Sequence, residues 1–97
     1  MSTSAAAYPQ RAEHLLAYPN PFNAETHFLF SMDRAGNTVL EVYDVRGRKV
    51  KTLLDDFLLP GRYRIPFHAA GLPSGVYLCR LQNASVAPVT KKVLLLK

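Results

Sequence analysis

Thr26-His27-Phe28-Leu29-Phe30-Ser31-Met32, then Asp33-Arg34-Ala35-Gly36-Asn37, then Thr38-Val39-Leu40-Glu41-Val42-Tyr43-Asp44 is the stretch that decides the fold. In an extended chain alternate side chains share a face, so Phe28, Phe30 and Met32 line one side of the first run. The second run points Leu40 and Val42 one way and Val39, Glu41 and Tyr43 the other. Asp, Gly and Asn between them are turn formers, and the two runs read as a β-hairpin whose second strand is central in its sheet. A helix would need apolar residues recurring at helical spacing, and no long window of the sequence offers that stripe.

The same reading extends outward. Residues 15–22 form an opening strand in which Pro19 and Pro21 fix φ and remove amide donors, which predicts a sheet edge. Gly47, after Arg46, can take the positive φ of a tight hairpin leading into Lys49-Val50-Lys51-Thr52-Leu53-Leu54. Asp55-Asp56 reads as a loop and Pro60-Gly61 as a turn, and the next strand aims Tyr63, Ile65 and Phe67 at the core. Gly71-Leu72-Pro73-Ser74-Gly75 is the strongest turn signal. Residues 76–82 form the sixth strand, Asn83-Ala84-Ser85 a connection, and residues 89–97 the last strand. The expectation is an all-β, immunoglobulin-like β-sandwich of about seven antiparallel strands.

Composition sets the bounds. Ninety-seven residues, 48% of them hydrophobic, suit one domain too small for a deep active-site cleft. Residues 1–14 read as a disordered leader or linker without the basic start and apolar stretch of a secretion signal, and residues 15–97 as the folded domain. The run Val93-Leu94-Leu95-Leu96 falls far short of the ~18 apolar residues of a membrane span. A lone Cys79 cannot close an internal disulfide. The net charge of +5 comes from Lys and Arg scattered among acids, which reads as a solvated basic surface and not as a nucleic-acid site.

Four motifs stand in order: Tyr18-Pro19-Asn20-Pro21-Phe22-Asn23, Val42-Tyr43-Asp44-Val45-Arg46-Gly47-Arg48-Lys49-Val50, Gly71-Leu72-Pro73-Ser74-Gly75-Val76-Tyr77 and Lys91-Lys92-Val93. Together they resemble the C-terminal sorting domains of type IX secretion, over residues 18–97. The resemblance implies a non-catalytic module that ends a larger secreted protein, a hydrolase or an adhesin of Bacteroidetes-like bacteria. Such a module directs its passenger across the outer membrane to the cell surface or beyond. It also implies, as partners, the type IX machinery with a sortase-like protease and outer-membrane surface components, and a monomer in isolation. Tyr18, Pro19, Asn20, Pro21, Asn23, Tyr43, Asp44, Gly47, Gly71, Gly75, Val76 and Tyr77 carry the family pattern. Lys91, Lys92, Val93, Leu94 and Lys97 are the candidates for recognition by the machinery. Phe67 stands where the family often has Trp, His68 where it often has Asp, and Cys79 where another aromatic is common.

Chemistry finds little support. His14, His27, His68, Cys79, Asp55 and Asp56 lack the paired spacing of a zinc or calcium site, so no metal or cofactor is expected. Cys79 falls in a strand with Tyr77 and Leu81 on its face, the setting of a buried, inert thiol. Glu25, Asp33, Glu41 and Asp44 have no groove around them to act as a glycosidase pair. Gly71 and Gly75 precede a strand and so do not build a phosphate-binding turn before a helix. Two other functions compete: a carbohydrate-binding module, which needs several aromatics on one outward face, and a scaffold like the immunoglobulin-like part of flagellar hook-capping proteins.

Overall fold

A computed structural model describes residues 15–84 and 86–97, with the backbone alone at Val86. The leader expected over residues 1–14 lies outside the described residues. Seven strands follow in order: β1 (Leu15–Tyr18), β2 (Glu25–Met32), β3 (Gly36–Asp44), β4 (Lys49–Leu58), β5 (Gly61–His68), β6 (Gly75–Asn83) and β7 (Val86–Leu95). One sheet runs β1-β2-β5 and the other β4-β3-β6-β7, with every strand pair antiparallel. In the constant-type immunoglobulin sandwich the fourth strand joins the sheet of the first, second and fifth. Here it pairs with β3 instead.

The period-two pattern sets the core. Phe28, Phe30 and Met32 from β2 and Phe67 from β5 meet Leu40 and Val42 from β3, Tyr77, Cys79 and Leu81 from β6, and Val93 and Leu95 from β7. Phe67 lies between two other rings, its centroid 5.9 Å from that of Phe22 and 6.1 Å from that of Phe28. Tyr63 stacks on Phe30 at 5.5 Å, and Tyr63 and Ile65 pack against the core from its margin. At the end of the sandwich near Gly36, polar groups close the core. Asn83 Nδ2 donates to Thr38 Oγ1 at 2.9 Å, and Thr38 Oγ1 donates to the Gly36 carbonyl at 3.2 Å.

Four expectations need correction. Residues 26–44 do not form a hairpin, because β2 and β3 lie in different sheets. The turn carries the chain across the core, so that the apolar faces of both runs are buried from opposite sides of one interior. Asp55 and Asp56 are not a loop but continue β4, opposite Val39 and Thr38. As β4 is an edge strand, their carboxylates stand in water while the backbone stays paired, and charge on an edge resists unwanted strand addition. Third, β1 ends at Tyr18, so Pro19 and Pro21 belong to the segment that leaves the sheet and not to the edge strand itself. The prolines that do sit in strands are Pro66, in the edge strand β5, and Pro88, in the edge strand β7. The last strand also starts earlier than residue 89, at Val86.

Other readings hold. The β3 strand is central in its sheet, and β4 returns from it as a hairpin across Gly47, whose φ is +83°. Truncation of Phe67, fully buried between two rings, should cost about 3–5 kcal/mol, as large-to-small core changes do. Chemical denaturation of Phe67→Ala should therefore show either a large fall in the midpoint or no folded baseline.

Candidate functional site

The residues that matter gather at one end of the sandwich, around the end of β7. The chain leaves β1 at Tyr18 in the three-stranded sheet, and residues 19–23 cross to the outer edge of β7 in the other sheet. Phe22 N donates to the Leu94 carbonyl at 3.0 Å, and Leu96 N donates to the Phe22 carbonyl at 2.8 Å. This makes a parallel bridge between Phe22 and Leu95. Asn20 extends the pairing with its side chain. Its Nδ2 donates to the Lys92 carbonyl at 3.1 Å, and its Oδ1 accepts from Leu94 N at 3.0 Å. A carboxamide offers one donor face and one acceptor, so Asn20 reproduces what a paired peptide unit would supply.

Several contacts fix the crossing segment. Phe22 is buried against Phe67. The buried Thr26 hydroxyl donates to the Pro19 carbonyl at 2.6 Å, and Ala69 N donates to the Ala24 carbonyl at 2.9 Å. The inner edge of β7 is held by β6, with Gly75 opposite Leu95, Val76 opposite Leu94 and Tyr77 opposite Val93. Tyr77 is anchored in turn, its hydroxyl donating to the Pro73 carbonyl at 2.6 Å. A tyrosine bonded back to upstream backbone is a corner device of β-sandwiches. Ser74 Oγ accepts from Lys97 N at 2.9 Å. Within this turn Gly71 has φ +84° and Gly75 +151°, values that L side chains rarely adopt.

The β3–β4 hairpin stands beside this clasp. Asp44 lies opposite Tyr77, and Tyr43 opposite Leu78, which in turn lies opposite Lys92. Asp44 organises its loop: Oδ1 accepts from Arg46 N at 2.9 Å and Arg48 N at 3.0 Å, and Oδ2 accepts from Arg48 Nε at 3.1 Å. These bonds hold its carboxyl below the usual range, with the amide of Arg48 the largest cause. Tyr43 donates its hydroxyl to Glu41 Oε1 at 2.8 Å, and Lys49 Nζ reaches Glu41 Oε2 at 3.4 Å. The same Tyr43 bond is the largest cause lowering the Glu41 carboxyl and raising the Tyr43 phenol. All four motifs of the sequence thus meet at one pole.

Lys91 and Lys92 do not form a pair on one surface. Lys91 lies opposite Cys79 on the core-facing side of β7 and is half-buried, whereas Lys92 lies on the outer face and is exposed. An inward charge at the sandwich rim is another guard against edge-to-edge association. Val93 is buried in the core, Leu94 is half-buried on the outer face, and Lys97 is exposed. Sequence reasoning did not single out Phe22, Ser74, Thr26 or Leu96. Phe22 and Ser74 sit inside motifs that were noticed, but nothing local shows that they reach β7.

Of the groups weighed for chemistry, Glu25 meets His27 and His68, and Cys79 lies apart from them in the core. Cys79 is fully buried, and burial pushes its thiol up. His27 Nε2 and His68 Nδ1 lie 3.0 and 3.3 Å from the two oxygens of Glu25, so His68 serves a cross-strand contact. Among the described residues no cluster of His, Cys, Asp or Glu could hold a metal ion. For a sugar platform, Tyr43 and Phe57 stand at opposite ends of the β3–β4 ladder and Tyr18 belongs to the other sheet.

Two outcomes test this geometry. Asn20→Ala removes two hydrogen bonds and should cost about 1–2 kcal/mol, read as a lower urea midpoint together with faster amide exchange confined to residues 92–96. Asp44 has a folded pKa below its unfolded value, so its stabilisation is complete above the ordinary carboxylate pKa of 3.8. That stabilisation is lost as pH falls through the depressed folded value. Thermal melts of Asp44→Asn should therefore show a shallower loss of stability with acid than the unaltered chain, and an unchanged slope would contradict the assignment.

Residues 16–96 match the family described as secretion system C-terminal sorting domain. No curated protein and no solved structure matches the chain. With that match spanning nearly all of the described residues, the chain belongs to the C-terminal sorting domains of type IX secretion.

Proposed function

We propose that the pole formed by the clasp is the address by which type IX machinery selects a passenger, and that the domain itself performs no chemistry. The observation that carries this is convergence. Tyr18-Pro19-Asn20-Pro21-Phe22-Asn23 and the Gly71 to Tyr77 turn are far apart in sequence, yet both lie against residues 92–97, and the Asp44 hairpin abuts the second of them at Tyr77. A core needs only apolar periodicity, whereas this pole uses side-chain amide, hydroxyl and carboxylate contacts to set the position of one strand end.

On this reading the scaffold is an immunoglobulin-like sandwich, the passenger is a secreted hydrolase or adhesin, and a sortase-like protease or surface component receives the domain outside the outer membrane. Lys92, Leu94 and Lys97 contribute to the recognised surface, while Lys91 and Val93 shape it from within. The test is export. The whole chain fused behind a periplasmic reporter should deliver the reporter to the medium or cell surface in a host with type IX secretion, and not in the same host lacking it. Equal periplasmic retention in both hosts would overturn the proposal.

A further inference from the structure

We infer that the machinery engages this pole through a shallow cleft lined by Pro19, Pro21, Phe22, Asn23 and Leu96, occupied by a protein partner that offers an apolar side chain to Leu96, flanked by carboxylates. The inference rests on the sorting function proposed above. The cleft is about 420 Å³, room for more than a single large side chain. It is bounded by the first motif on one side and Leu96 on the other, so it exists only when the clasp is closed. Two prolines in its wall have little backbone freedom left to lose on binding. The Leu96 side chain is 53% exposed although its own N–H is bonded to Phe22; the backbone there serves the fold, and the side chain is left to water.

The other route to this strand is largely closed. A partner could add a β-strand to the outer edge of β7 only where backbone groups are unpaired. Along that edge the Lys92 carbonyl, both backbone groups of Leu94 and the Leu96 amide already bond Asn20 and Phe22, and Pro88 has no N–H to give. Recognition there must use side chains. Charge selects the partner's chemistry. Among the described residues no carboxylate pairs with Lys92 or Lys97, whereas Asp44 is engaged by Arg48, Glu41 by Lys49, and Glu25 by His27 and His68. Two exposed lysines on the same strand end as Leu96, on a chain of net charge +5, favour an acidic rim and oppose a second copy of this chain.

The export reporter tests this with substitutions that spare the core. Leu96→Asp should lower the exported fraction about tenfold, the scale of a lost central anchor, with the melting temperature within about 4 °C of the unaltered chain. Lys92→Glu combined with Lys97→Glu should also reduce export. Leu59→Asp, at the opposite pole and 64% exposed in the starting chain, should leave export unchanged. Normal export of Leu96→Asp, or an equal loss in Leu59→Asp, would overturn the cleft while leaving the sorting function standing. Retention of the unaltered fusion would instead overturn the sorting function. Should the unaltered chain run as a dimer on size exclusion and Leu96→Asp as a monomer, the cleft is a self-association site and the inference fails.

Discussion

The pairing of residues 19–23 with the outer edge of β7 is the constraint on which the rest of this structure depends. A sheet edge presents donors and acceptors that need partners, and β7 is one of the edge strands here. Here the chain answers it with a segment from the opposite sheet, half backbone at Phe22 and half side chain at Asn20. Because that segment starts from β1 and finishes on β7, it also stitches the two sheets together. Phe22 adds an apolar anchor, entering the core against Phe67.

The two ends of the sandwich consequently differ in kind. Near Gly36 a short buried relay through Thr38 and Asn83 closes the interior, and Gly36 leaves room for Asn83, whose Nδ2 would lie 3.3 Å from any added Cβ. Near Gly75 the polar contacts face outward and organise loops. Asp44 shapes one of them, Tyr77 another, and Ser74 holds the amide of Lys97. The first end closes a core, and the second arranges a surface.

Local pattern was enough to find most of this architecture. Phe28, Phe30 and Met32, like Leu40 and Val42, declared their shared faces through alternation, and Gly47 declared its turn. Alternation cannot say which sheet a strand joins, however, and so β2 and β3 looked like partners when they face each other across the interior. Asp55 and Asp56 looked like a loop because charge is read as exposure, and an edge strand is exposed without ceasing to be a strand. The site was legible as motifs and not as a place. The contacts from Asn20 to Lys92 and Leu94 span more than seventy residues, and the opposite facing of Lys91 and Lys92 became meaningful only once the register of β7 was known.

Export places the domain beyond the reducing cytoplasm, where a solitary thiol is a hazard because it can form mixed disulfides with other proteins. Cys79 avoids this without a partner sulfur. It is sealed between the sheets, and the cost of placing a thiolate in that apolar setting keeps it protonated and unreactive. The protection is conditional on closure: the interior that excludes water also excludes oxidants, so the thiol's chemical lifetime outside the cell is set by how seldom the sandwich opens.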